Sequence, residues 1–245
     1  MSLLVLVALA QARSVDEALA LLEPLRALRH ADAAPTVPRS AYASASAGQH
    51  VKGIEAVDGV AASKGWGVAV FDLPIEAVWK AVNDEKRFAG LLPVQESAVL
   101  TGTPNRDGRT LFQYMELPIV DDRWWVVAMD HNAELYTQSG GVVWELSWKD
   151  ATDPSRLVGT GWASRVEDAT PVAWTHGSWL LVDLEGRTLV EYFVWSDPGG
   201  SIPAGPASKF AGGAVLDTLS AMEQLATEHA GSAEAGFVRP DQSAL

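Results

Sequence analysis

Glu116 and His176 are the side chains best suited to acid–base chemistry in this chain, because each stands inside a run that alternates like a β-strand. Glu116 shares a face with Phe112 and Tyr114, and His176 with Trp174, Leu180 and Val182. An ionised carboxylate costs too much to bury alone and ends up protonated or paired. Glu116 is therefore either an enclosed acid or base or an edge residue in water, and His176 is either an enclosed base or a packed histidine of core or surface. Glu191 alternates with Leu189, Phe193 and Trp195 and poses the same choice. Arg123 follows two aspartates and reads as an ion-pair partner of Asp122 or another acid.

Other catalytic and metal chemistry has little support. The five histidines fall in unrelated contexts, without the His-x-x-x-His spacing that places two imidazoles on one helical face. The absence of cysteine removes disulfides, thiolate nucleophiles and the usual zinc sites. No Gly-x-Ser-x-Gly elbow occurs, and Gly65-Trp66-Gly67 and Gly159-Thr160-Gly161, which do not continue as dinucleotide fingerprints, read as turns. A net charge of −13 repels phosphate backbones and anionic lipid surfaces, which argues against nucleic acid as a partner.

The elements that must position these residues are mostly strands. Ser14-Val15-Asp16-Glu17 has the form of a capping box and opens a helix that Pro24 should kink or end. Residues 31–48, rich in Ala, Ser and Pro, read as a linker, and a globular body should begin near His50. Strand-like runs follow at 51–57 and 65–71, then a short helix opened by Pro74. Further runs cover 94–101, 109–117, 123–130, 141–148, 172–184 and 188–195, separated by turn signals such as Asp107-Gly108 and Glu185-Gly186. An antiparallel sheet is expected. A long helix from about Pro206 to His229 places Phe210, Val215, Leu219, Met222 and Leu225 on one face, and the polar tail from Gly231 reads as mobile. Several strands are apolar on both faces, as in Leu111 to Met115 and Trp124 to Met129, so each face needs a cover. The 48% apolar fraction supports a substantial core, and the ten tryptophans can fill it or line a cavity.

Asp197-Pro198-Gly199-Gly200-Ser201-Ile202-Pro203 joins the last strand to the last helix. Its glycines permit angles that other residues disfavour, and its prolines end sheet pairing. With the helix ending Leu219-Ser220-Ala221-Met222, it resembles the strand, DPGG-x-x-P, helix ending of START domains, the lipid-transfer modules related to the steroidogenic acute regulatory protein. Leu117 to Arg123 is similar to the Pro-rich loop of that family. Gly177-Ser178-Trp179-Leu180 with Gly186-Arg187-Thr188 is similar to a Gly-x-Trp strand and hairpin of bacterial members. The resemblance covers about residues 50–229.

The resemblance implies an α+β helix-grip fold, a curved antiparallel sheet wrapped around a long C-terminal helix, with one hydrophobic ligand held between them. It places Phe112, Tyr114, Glu116, Trp125, Val127 and Met129 on the cavity side of the central strands. His176 and the helix residues Phe210, Val215 and Leu219 complete the expected lining. Pro118, Ile119 and Val120, with Gly199, Gly200 and Pro203, are expected to gate entry. Where several members carry an arginine to pair with the acid at Glu116, register from Arg123 puts Met129.

The function so implied is non-catalytic binding and transfer of a sterol or phospholipid by a monomer that touches membranes briefly, with no metal or cofactor. The alternative is a cyclase- or aromatase-like enzyme that uses Glu116 or His176 in the same cavity. A ligand-gated module for another protein is a third reading. Leu3 to Ala10, followed by Ala10-Gln11-Ala12, fits the small-x-small rule for a secretory leader and favours a periplasmic or otherwise exported protein. Its short apolar run without a positive start also fits a structural helix in a cytoplasmic protein.

Overall fold

The computed structural model describes residues 12–118, 120–200 and 214–245. The leader, Ile119, Pro203 and Phe210 lie outside the described residues. Ser14 caps the first helix as its spacing predicts. Its hydroxyl accepts from the Glu17 amide at 3.2 Å, and the Glu17 carboxylate takes the Ser14 amide at 2.8 Å. Helix α1 (Val15–Leu22) tightens into a 3-10 segment, Glu23–Leu28, at Pro24. The expected linker contains a second helix, α2 (Arg39–Ser46), which buries Ala41, Tyr42 and Ala45. Its apolar face is largely methyl groups, so the usual period of large residues is missing from the sequence.

The body follows as β1 (Val51–Val57), β2 (Val60–Phe71), α3 (Ile75–Asn83), β3 (Glu96–Thr101), β4 (Arg109–Met115) and β5 (Arg123–His131). Then come α4 (Ala133–Gln138), β6 (Val143–Asp150), β7 (Thr170–Pro171), β8 (Trp174–Asp183), β9 (Thr188–Asp197) and α5 (Val215–Ala230). Gly65-Trp66-Gly67 lies within β2 and not in a turn. The strands form one nine-stranded sheet in the order β1-β2-β9-β8-β6-β5-β4-β3, antiparallel except for β7, which pairs in parallel with β5.

Alternation divides the sheet into two buried faces. The inner face packs on α3 and α5 through residues such as Leu111, Val127, Trp144, Trp179 and Val190. Gly67 lets α5 come close, since a Cβ there would stand 2.6 Å from Val215 Cγ1 and 2.8 Å from Leu219 Cδ1. The outer face has two covers. Helices α1 and α2 lie on Val68, Leu180, Val182 and Leu189, while Leu157, Trp162 and Val166 of the β6–β8 connection lie on Phe112, Tyr114, Trp124 and Val126. This is why the central strands are apolar on both sides.

The tail beyond α5 is packed, contrary to the mobility its polar composition suggests. Phe237 and Val238 are buried, and the Trp79 indole N–H donates to the Val238 carbonyl at 2.7 Å. Two apolar residues and one backbone acceptor suffice to dock a segment that is otherwise polar. Nearby, the His229 ring ties α5 to the end of α3, with Nε2 3.1 Å from Asp84 and Nδ1 3.6 Å from Glu234. One oxygen or nitrogen from each of Asp84, His229 and Glu234 lies within 4.8 Å of the others, and the imidazole links the two carboxylates.

Candidate ligand cavity

Two adjoining lobes lie between the inner face of the sheet and α5. The larger, about 140 Å³, is bordered by Leu92, Met115, Trp125, Val172, Val194 and Val215. The smaller, about 90 Å³, is bordered by Val82, Phe88, Leu111, Val127, Met129 and Met222. Leu92, Gln113, Trp148, Tyr192 and Thr218 line both and mark where the lobes meet. The Trp148 indole reaches this junction because Gly177 has no side chain. A Cβ at Gly177 would meet Trp148 Cζ2 at 2.0 Å and the Phe193 carbonyl at 2.4 Å.

Polar groups in the lining are few and neutral. Thr175 Oγ1 and Ser196 Oγ share one hydrogen bond at 2.6 Å, and the Trp125 indole N–H donates to Gln113 Oε1 at 2.8 Å. Burial pushes the Tyr192 phenol above its usual range, with the Thr218 hydroxyl beside it acting the other way. Among the described residues, no Asp, Glu, His, Lys or Arg borders either lobe.

The fold matches solved structures over most of the chain. The STAR-related lipid transfer protein of Xanthomonas axonopodis superposes with a TM-score of 0.59 at 18% identity, covering 73% of this chain and 93% of that one. The chain has the START-domain fold. Human STARD10 gives a TM-score of 0.57 at 13% identity, over 82% of this chain and 84% of its own. Human StAR-related lipid transfer protein 5 gives 0.56 at 11% identity, over 87% and 96%. No protein-family profile matches the sequence, and no curated protein is significantly similar to it.

Within the START fold the expected site residues divide by parity. Trp125, Val127, Met129 and Val215 border the lobes. Phe112, Tyr114 and Glu116 do not, because the β4–β5 register pairs Phe112 with Val126 and Tyr114 with Trp124, on the opposite face from Trp125 and Val127. Both sets could never share one side of the sheet. Phe112 stacks on Trp162, and the Arg165 guanidinium lies 3.9 Å over the Tyr114 ring. Burial, together with the hydrogen bond that Tyr114 donates to Asp122, raises the Tyr114 phenol to about 12. Glu116 is an exposed edge residue paired with Arg165 at 2.7 Å. Leu219 is buried against Gly67 beside the cavity.

His176 is on the outer face, stacked on Trp174 with ring centroids 5.6 Å apart, and burial lowers its pKa. Glu191 is on that face too, buried beneath the N-terminal segment. It accepts from Arg26 at 3.0 Å, Arg29 at 3.3 Å and the Tyr42 hydroxyl at 2.6 Å. Arg29 also pairs with the buried Glu145 at 3.0 Å. This network sews α1 and α2 to the sheet, away from the cavity.

Arg123 is only 2% exposed and bonds carbonyls in place of an acid. Its Nε donates to Pro198 O at 2.8 Å and its Nη2 to Gly199 O at 3.2 Å, while Nη1 donates to Asp121 O and Asp122 O. The Asp122 carboxylate is occupied by the Leu117 amide and the Tyr114 hydroxyl. Arg123 thus joins the 117–122 loop to the Asp197–Gly200 corner, where Gly199 and Gly200 take φ of +68° and +62°. Pro118 is exposed at this loop, and Val120 packs against the inner core.

The lining residues that sequence reasoning missed include Gln113, Trp148, Thr175, Tyr192, Ser196 and Thr218. For Gln113 a signal existed. Once Trp125 and Val127 are placed inward, antiparallel pairing makes Leu111, Gln113 and Met115 inward as well.

Proposed function

We propose that this protein is a non-catalytic carrier of a hydrophobic small molecule, held between the sheet and α5. The apolar cavity with a few neutral polar groups carries this reading. Burial of ligand surface supplies about 25 cal/mol per Å² removed from water, and the polar groups set orientation. The lobes are smaller than the roughly 300–1,000 Å³ of a drug-sized site. Loading a sterol-sized ligand therefore involves outward movement of α5 or of the 117–122 loop. The Arg123 bridge is the contact such movement would have to break. With a net charge of −13, contact with a donor or acceptor membrane is brief and weakest on anionic surfaces.

The enzyme alternative loses its candidate residues, since Glu116 and His176 both lie outside the lobes. Tyr192 is the titratable group among the described lining residues, and its raised pKa makes it a poor base near neutrality. Organic extraction of the purified protein followed by mass spectrometry should yield a co-purified lipid, and the loaded protein should deliver it to acceptor vesicles. Glu116→Gln should leave uptake and transfer unchanged. An empty extract, together with turnover of a polyketide-like aromatic precursor that Glu116→Gln slows by roughly 100-fold, would establish the enzyme instead.

A further inference from the structure

The geometry points to an uncharged ligand anchored by one acceptor oxygen, a carbonyl or hydroxyl, on the Gln113 carboxamide. This rests on the carrier reading and adds the ligand class to it. Gln113 faces inward from β4 at the junction of the two lobes. An indole N–H can only donate, so the 2.8 Å bond from Trp125 Nε1 fixes Gln113 Oε1 toward Trp125 and turns the Nε2 donors elsewhere. Among the described residues, no acceptor takes those donors. Of the other polar groups of the lining, Thr175 and Ser196 share one hydrogen bond and Tyr192 lies beside Thr218. Ser97, directly across the β3–β4 ladder from Gln113, also has an enclosed hydroxyl without a partner among the described residues.

An amide donor pair that opens onto an apolar cavity rewards a ligand that brings an acceptor to it in place of water. A charged headgroup gains nothing comparable. A carboxylate, phosphodiester or sulfate inside these lobes would be desolvated beside neutral groups alone, which is far more expensive than burying a carbonyl. The sequence expectation of a sterol or phospholipid narrows accordingly to neutral molecules bearing one oxygen function.

The test is displacement of Nile red, a neutral dye, by matched probes. The steroid set is androstan-3-one, androstan-3-ol, androstane and the 3-sulfate of the alcohol. A slimmer pair, 2-dodecanone and dodecane, covers the case of a narrow cavity. In the wild type the sulfate should bind at least about tenfold more weakly than the alcohol, a comparison that needs no variant. In Gln113→Leu the ratio of ketone to hydrocarbon affinity should fall about tenfold relative to wild type, the scale of one hydrogen bond, with hydrocarbon affinity retained. Retained hydrocarbon binding also reports that the variant is folded. Gln113→Met is a second apolar replacement of similar length. An unchanged ketone-to-hydrocarbon ratio in either folded variant, or a sulfate that binds as well as the alcohol, overturns the inference and leaves the carrier reading standing. Failure of dye and all probes to bind overturns both.

Discussion

Glu191 stays ionised where burial by itself would neutralise it. Burial opposes the charge, but Arg29, Arg26 and the hydrogen bonds from Arg26 and Tyr42 outweigh it and hold the carboxyl below its usual 4.5. A folded pKa below the unfolded one means that the stabilisation is complete above about 4.5 and is lost as pH falls through the folded value. The predicted outcome is that Glu191→Gln is less stable than wild type by about 2–3 kcal/mol at pH 7, since it removes a charged partner from the buried Arg29 and the part-buried Arg26, each of which keeps other contacts. The gap should narrow as the pH drops below about 4.5, where the wild type protonates too. Urea midpoints of both proteins from pH 7 to pH 3 measure this, and a gap that is constant over the range would mean that Glu191 is not the titrating member. Glu116, the other carboxylate singled out in the sequence, is 55% exposed and paired with a half-open arginine, so it contributes little.

Among the elements, α5 depends on one missing side chain. Gly67 in β2 admits Val215 and Leu219 at distances that no Cβ would allow. Gly67→Ala should push the start of α5 off the sheet and cost about 1–3 kcal/mol, the range for overpacking a filled core. Because Val215 borders the larger lobe, the same change should also alter ligand affinity. Hydrogen exchange should speed up in α5 and not in α1 or α2. Uniform acceleration across all three helices would show global destabilisation without local displacement. The outer covers are elements of a different kind. Helices α1 and α2 are held by the Arg26, Arg29 and Tyr42 contacts, whereas the β6–β8 connection is held by aromatic packing on Phe112 and Trp124.

For the molecule as a whole, the chain beyond α5 closes the structure. Phe237 and Val238 bury against α3 and α5, and Trp79 finds its acceptor in the Val238 carbonyl. Ending the chain at Ala230 should cost at least about 3 kcal/mol, combining one exposed aromatic surface with one orphaned buried indole N–H. Equilibrium unfolding in urea should show a lower midpoint and an unchanged slope. An unaltered midpoint would restore the view of this segment as a loose tail. At the same scale, the folded chain presents a layered arrangement in which the sheet is buried on both faces, and the candidate ligand cavity lies on the inner one.

Much of this was legible in the residues. Alternation located the strands to within a few positions, the capping box placed the start of α1, and the Asp-Pro-Gly-Gly corner announced a strand feeding a final helix. These are local signals, set by backbone angles and by the period of the side chains. Which face of each strand meets the cavity is not local. Leu111 to Met115 is apolar on both faces, so no pattern within β4 distinguishes Gln113 from Phe112. The choice falls to pairing with β5 and to the segment around Trp162, which covers the outer side from 50 residues further along the chain. Glu191 stands out in the sequence as an acid within a strand, but its partner Arg29 does not, and only the N-terminal segment folding over β9 brings them together. Polar residues in a two-sided sheet acquire their roles from what covers each face, and only the tertiary structure decides that.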